Sequence, residues 1–374
     1  MHPRQFTGGR APRGEDPALA RAFWLESRVF VLVRSSDLAG RKRVLHIVVA
    51  THGHCFDGLA SAALFTRLMR TVHGSRQMRF SYHASGYGPG SNGVDPALLV
   101  GDENAILDFR FSRDKKLTWY FDHHVSAFPD ATDRTSYDAH VAGVADGDRR
   151  MFHDGTYSSC TKLIVDIGAA RFGLDPAPTA ELVRWADMID SASFPSAEMA
   201  VARSEPVLQL MTVVEHEGDD AFLEAMVPRV LEESIVDVAL SAEVQSRFKP
   251  LQESRETFNR LVKERSKEAH DVVVVDLGSE DIEVAGKFVT YALYPRSLYS
   301  VVLTRSPSKC KVSVGYNPWS QKPRLHNIAA ICERYGGGGH PVVGAVSVPA
   351  SELERARAIV AEIVDELARP PVSA

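Results

Sequence analysis

Residues 44–72 read VLHIVVATHGHCFDGLASAALFTRLMRTV, and this stretch limits the fold more than any other. The run 44–50 is short, apolar and β-branched, and residues 59–72 then take up the apolar spacing of a helix. A strand that feeds directly into a helix is the building unit of a parallel sheet covered by helices. The loop between the two is polar, and it carries His52, His54 and Asp57.

The same texture recurs. Runs at 104–109 (NAILDF) and 117–121 (LTWYF) predict two more strands, one reaching Asp108 and the other ending in Asp122, His123 and His124. Helices are expected over 59–72, 158–172 and 178–191, the last opened by Pro178 and Thr179. From 194 to 268 the chain is rich in Glu, Leu, Arg and Val, which predicts a helical connector with a solvated charged face. Strands return at 270–277, 288–294, 300–304, 310–316 and 342–348. A helix near 325–335, a glycine run at 336–339 and a helix over 350–368 complete a second α/β unit. The expected division is an N-terminal extension over 1–43, partly flexible, a first domain over 44–205, a connector over 206–268 and a last domain over 269–374.

Composition narrows the function. With 374 residues, 44% hydrophobic and 24% charged, the chain has room for two or three globular domains. A formal charge of -5 provides no broad basic field, so long duplex DNA is not an expected partner. Cys55, Cys160, Cys310 and Cys332 form no CxxC pair, so neither a zinc ribbon nor a disulfide framework is expected, and a reducing cytoplasm fits. No run reaches the roughly 18 apolar residues of a membrane span, and the Gly- and Arg-rich start has no continuous apolar core of a signal peptide.

Parallel strands gather their loops at the carboxyl edge of the sheet, where open α/β folds build their sites. Each polar residue there has a plain reading: a loop histidine, or for Asp57 a helix N-cap. Together, four histidines and three carboxylates at three strand ends form a ligand set suited to manganese, iron or zinc. Two metals roughly 3.5–4 Å apart, sharing a carboxylate, would use such a set and clamp the oxygens of a phosphoryl displacement. No GxSxG nucleophile motif is present.

Five motifs occur in order: HGHCFDGLASA (52–62), LDF (107–109), FDHH (121–124), WADMID (185–190) and GGGGHPVVGA (336–345). In these the chain resembles the DHH phosphoesterases that carry a C-terminal DHH-associated domain; residues 1–43 lie outside the likeness. The resemblance implies an N-terminal parallel-sheet DHH domain, a helical connector and a smaller α/β DHH-associated domain, with the active site in the interdomain cleft. It implies two divalent metal ions, usually manganese. The first would take His52, His54 and Asp108, and the second Asp57, Asp108, His123 and Asp187. Asp108 would bridge them, His124 would touch the scissile phosphate, and Asp122 would orient the imidazole pair. Gly337, Gly338, Gly339 and His340 would bind substrate.

The chain departs from the family pattern in two places. Relatives read HxDxxDG, whereas His54 stands here at the acidic position, which favours iron or zinc if it is a ligand; the alternative is that His54 is not a ligand, with Cys55 a less favoured stand-in. The strand before the glycine run, 312–317, lacks the Arg that relatives often carry. Asp187 and Asp190 share a helix face; Asp187 is preferred, and Asp190 reads equally as a C-terminal-turn residue. Expected substrates are short oligonucleotides, cyclic dinucleotides or 3'-phosphoadenosine 5'-phosphate, with pyrophosphate less favoured. The alternatives are a nucleotide-binding protein without turnover and a single-strand exonuclease similar to RecJ. A homodimer is compatible with the resemblance.

Overall fold

The computed structural model of the chain describes residues 43–86, 93–280, 286 and 288–369. The extension expected over 1–43 lies, Arg43 apart, outside the described residues. Strand β1 (Leu45–His52) runs into α1 (Phe56–His73) and back to β2 (Met78–Ser85). There follow β3 (Glu103–Leu107), β4 (Trp119–Asp122), α2 (Ala131–Ala142) and β5 (Met151–His153). These five strands form a parallel sheet in the order β2-β1-β3-β4-β5. The chain therefore steps outward from β1 to β2 and returns on the other side of β1 for β3. That reversal opens a crevice at the carboxyl ends of β1 and β3, the place where open α/β sheets bind ligands.

Side-chain alternation explains the apolar runs. Ile47, Val49, Leu107 and Phe121 pack on one face with α1, while Ala50, Ile106 and Tyr120 pack on the other with Phe111 and Tyr137. Both faces are covered, so apolar residues follow one another without alternation along the middle of these strands. No such run announces β2, which is an edge strand and interleaves Arg79, Ser81 and His83 with Phe80 and Tyr82. The short α2 and β5 are equally unannounced.

Helices α3 (Cys160–Phe172), α4 (Ala180–Asp190), α5 (Ala197–Ala202), α6 (Pro206–Glu217), α7 (Asp220–Glu232), α8 (Ile235–Leu240) and α9 (Ala242–Arg265) follow. The connector is helical, but much of it is not solvated. Val207, Leu208, Leu210, Met211, Val213 and Val214 of α6 are buried in the same core as α1. Only α9 fits the expected charged rod. Its 24 residues span roughly 36 Å, with Phe248 in the first core and Val262 beneath the second sheet.

The second sheet contains β6 (Ser266–Ala269), β7 (Val272–Leu277), β8 (Tyr299–Arg305), β9 (Lys309–Tyr316), β10 (Gly338–His340) and β11 (Val343–Pro349), in the order β10-β11-β9-β8-β7-β6. Helices α10 (Val289–Leu293), α11 (Ile328–Glu333) and α12 (Leu353–Leu367) accompany it. The expected strand at 288–294 is instead α10. Its aromatic and β-branched residues suit a strand, but β7 and β8 pair in parallel, and parallel neighbours need a crossover rather than a hairpin. The segment supplies part of that crossover. Trp319 ties the two sheets together: its Nε1 donates to the Phe194 carbonyl at 2.7 Å and its ring meets Phe288 edge-on. No described helix is long and apolar enough to cross a membrane.

Candidate metal centre

The end of β1 and the start of α1 are held tightly together. Thr51 Oγ1 donates to the Gly58 carbonyl at 3.0 Å. A Cβ on Gly58 would lie 2.1 Å from the His52 carbonyl oxygen, so only glycine allows the helix to begin there. Within the loop, His54 has a φ of 54° and its N–H donates to the Gly218 carbonyl. Its side chain is exposed and lines a surface pocket with His216, Glu217, Phe222 and Arg247. His54 is thus not brought to the ligand cluster. Cys55 is, since its sulfur, a His52 ring nitrogen and an Asp108 oxygen lie within 4.8 Å of one another.

Asp108 follows β3 with a φ of 53°, a left-handed conformation that Asp tolerates better than most residues. Its N–H donates to the Phe121 carbonyl, which ties the loop to β4. The side chain is fully buried, and both carboxylate oxygens lack a hydrogen-bond partner among the described residues. Around it stand His52 Nδ1 at 3.7 Å, His123 Nε2 at 3.5 Å and His124 Nδ1 at 3.7 Å. Burial acts to raise its pKa, but His123, His52 and His124 outweigh burial and hold the carboxyl at about 2.

Asp57 lies in the first turn of α1 and reaches the N-terminus of α3, accepting from Cys160 N at 2.7 Å and Thr161 N at 3.0 Å. Burial, then the charges of Asp108 and Asp190, push its carboxyl well above the usual range. His123 Nε2 is 3.9 Å from Asp57, 3.5 Å from Asp108 and 3.2 Å from Asp190. His123 Nδ1 meets the Tyr157 carbonyl at 3.1 Å. A carbonyl only accepts, so Nδ1 carries the proton and Nε2 is the nitrogen presented to the carboxylates. Burial lowers the His123 pKa, yet the neighbouring carboxylates prevail and raise it to about 9.

Asp190, at the end of α4, faces this cluster; burial and then Asp108 raise its carboxyl to about 6. Asp187 is occupied elsewhere. Its Oδ1 accepts from the hydroxyls of Ser158 and Ser159, and Ser159 in turn caps α3. Asp122 ends β4 fully buried, accepting from His124 Nδ1 at 2.8 Å and from the Tyr120 hydroxyl at 3.1 Å. That bond, ahead of the opposing effect of burial, raises the His124 pKa. His153, which no motif marks, donates to the His124 carbonyl at 2.9 Å and steadies the turn.

Among the described residues the buried oxygens of Asp108 have no hydrogen-bond partner and His123 Nε2 faces three carboxylates, an arrangement that suits a bound cation. Three carboxylates share the cluster with these imidazoles, so the donor set fits divalent cations.

Two of the three expected substrate glycines, Gly338 and Gly339, are part of a strand. Gly338 and Gly339 pair with Ala345 and Gly344 of β11. Gly339 has a φ of 155°, and a Cβ there would fall 2.3 Å from the Val343 carbonyl oxygen, so packing requires the residue whatever else it does. Gly339 and His340 are exposed.

A parallel sheet with a His- and Asp-bearing carboxyl edge, followed by helices and a smaller mixed sheet, is the fold of the DHH phosphoesterases with their DHH-associated domain. Among solved structures, the pGpG-specific phosphodiesterase PggH from Vibrio cholerae is similar with a TM-score of 0.58 at 18% identity, over 86% of this chain and 99% of that one. An exopolyphosphatase-related protein from Bacteroides fragilis gives 0.47 at 14%, over 87% and 94%. RecJ from Thermus thermophilus in complex with Mn2+ gives 0.46 at 14%, over 86% of this chain and 52% of RecJ. No family model matches the sequence, and no curated protein matches it.

Proposed function

We propose that this chain is a metal-dependent phosphoesterase that hydrolyses a phosphodiester or terminal phosphate bond of a small nucleotide. One observation carries the reading: Asp108, fully buried and without a hydrogen-bond partner among the described residues, is ringed by three histidines at the switch point of the parallel sheet. A buried carboxylate so placed calls for a cation. His52 and Asp108 would hold one divalent ion, and Asp57, Asp108, His123 and Asp190 the other. Asp190 thus takes the role that the resemblance gives to Asp187, whose carboxylate is committed to two serines. Divalent cations bound there supply Lewis acidity toward water and phosphoryl oxygens.

The chain's own residues orient and stabilise. The Tyr157 carbonyl holds Nδ1–H, so Nε2 is the His123 nitrogen that would bind a cation once the cation displaces its proton. Asp122 holds the His124 ring by Nδ1 and favours its protonated form, which leaves Nε2–H to donate to a phosphoryl oxygen as charge develops. His340 and Gly337–Gly339, on the edge of the second sheet, would meet the rest of the nucleotide across the interdomain cleft. Manganese is the metal to try first, then iron and zinc.

The test is chromatography of a substrate panel with wild type and Asp108→Asn. Because PggH is described as pGpG-specific, pGpG heads the panel, followed by cyclic dinucleotides, 3'-phosphoadenosine 5'-phosphate, short oligonucleotides, pyrophosphate and long single-stranded DNA. Consumption of one small nucleotide by wild type alone is expected. No turnover with manganese, iron or zinc, or equal turnover by the variant, would overturn the reading.

A further inference from the structure

The first ion site, as read above, has only His52 and Asp108 from the chain, because the third residue that the motif spacing offers, His54, is exposed in another pocket. The side chain that approaches instead is Cys55, whose Sγ lies within 4.8 Å of ligand atoms of both. Two observations bear on this thiol. Cys55 is the N-cap residue of α1 and makes no capping hydrogen bond with its side chain. Seven other described α-helices have such a bond, accepted by Asp130, Ser159, Ser196, Asp219, Ser234, Ser241 and Asn327, while the N-caps Thr179, Glu205, Phe288 and Glu352 make none. The second observation is Asp108, whose oxygens are buried, partnerless and directed into the same space.

We infer that Cys55 is the third protein ligand of the first ion, a thiolate in place of the carboxylate that relatives carry, and that it makes this site select a thiophilic cation over manganese or magnesium. The inference rests on the phosphoesterase reading. On binding, the sulfur–metal bond forms and the thiol proton leaves to solvent, so no oxidant or reductant is needed. Burial, then the charges of Asp108 and Asp57, push the Cys55 thiol well above its usual range, so the thiolate would form only together with the bound cation. The centre is then asymmetric. One ion has a nitrogen, sulfur and oxygen set from His52, Cys55 and Asp108, which suits iron, cobalt or zinc. The other has Asp57, Asp108, His123 and Asp190, a harder set that suits manganese.

The experiment is titration of the metal-free full chain with Co2+, followed by near-ultraviolet absorption and by equilibrium dialysis, for wild type, Cys55→Ser, Cys55→Asp and Cys160→Ser. Wild type and Cys160→Ser are expected to show a sulfur-to-cobalt charge-transfer band. Cys55→Ser should lose the band and bind the first ion at least roughly tenfold more weakly. Cys55→Asp should lose the band and shift preference toward manganese. Cobalt bound by wild type without the band, or a band that survives in Cys55→Ser, would overturn the role of Cys55 while leaving the phosphoesterase reading intact. The band together with an inert substrate panel would support the ligand and remove the function. Failure to bind any divalent ion would remove both.

Discussion

In the C-terminal sheet, buried Asn317 donates to the carbonyls of Pro295 and Ser297, and buried Ser300 donates to the Tyr291 hydroxyl. At the carboxyl edge of the N-terminal sheet, Asp108 is as deeply buried, yet among the described residues its carboxylate has no hydrogen-bond partner. The two regions bury polar groups for different reasons. Satisfied pairs such as Asn317 stabilise the fold they sit in. A partnerless carboxylate among imidazoles costs stability and is kept for what it can bind. Strand direction sets where each kind is found. Parallel β1, β3 and β4 end on one rim and pool His52, Asp108 and Asp122, whereas mostly antiparallel strands send their loops to opposite edges.

The largest expected effect breaks the comparison at its centre. Asp108→Asn should fold with an unchanged circular dichroism spectrum and lose activity by a factor of roughly 10³ or more, the scale set by removing a charge-stabilising group from a dry site. An unfolded variant would place Asp108 with the structural pairs instead.

A sharper division runs along one helix turn. Asp190→Asn should lower bound metal by one ion and abolish turnover, because its carboxylate faces His123. Asp187→Asn should keep both ions and instead lower stability by about 1–3 kcal/mol, the worth of charge-assisted bonds to Ser158 and Ser159. Metal content and thermal melts of the two variants decide it. The reverse pattern would restore Asp187 as the ligand.

How much of this was legible in the sequence follows from what local pattern encodes. Apolar runs mark β1, β3 and β4, and the polar residues that end them are the ones the structure clusters. Pattern does not encode rotation. Asp187 and Asp190 are three residues apart on α4, and only the packing of α4 on α1 and α3 determines which one meets His123. Nor does spacing encode the path of a loop: His54 occupies a left-handed conformation and turns out, while Cys55 turns in. The run FVTYALY looks like a strand until the parallel pairing of β7 and β8 demands a crossover. The resemblance gives the glycine run to substrate binding, and close packing against β11 already accounts for Gly339.

Asp122→Asn probes a residue between the two classes, since Asp122 is satisfied like a structural group but serves His124 at the rim. Metal content should stay constant while kcat falls by roughly 10–100-fold, as for other groups that orient a site from behind. The pH profile carries the sign. Asp122 raises the His124 pKa, so the protonated ring persists to higher pH in wild type, and the descending limb should move to lower pH in the variant. A uniform loss with an unmoved limb would reduce Asp122 to packing.

The smallest effect belongs to His54→Gly, and it tests whether the first motif has been divided correctly. His54 is exposed, has a φ of 54° and contributes a backbone N–H to the Gly218 carbonyl. Glycine keeps that N–H and adopts positive φ without the strain that a β-carbon brings, worth about 1 kcal/mol or more. It also loosens the unfolded chain, which takes back about 0.5–1 kcal/mol. The net change in stability should therefore lie between about zero and +1 kcal/mol. Bound metal and turnover should remain at wild-type levels, because no ligand is lost. A drop in metal content would place an imidazole at residue 54 in the first site, and the cobalt band of Cys55 would then need another origin.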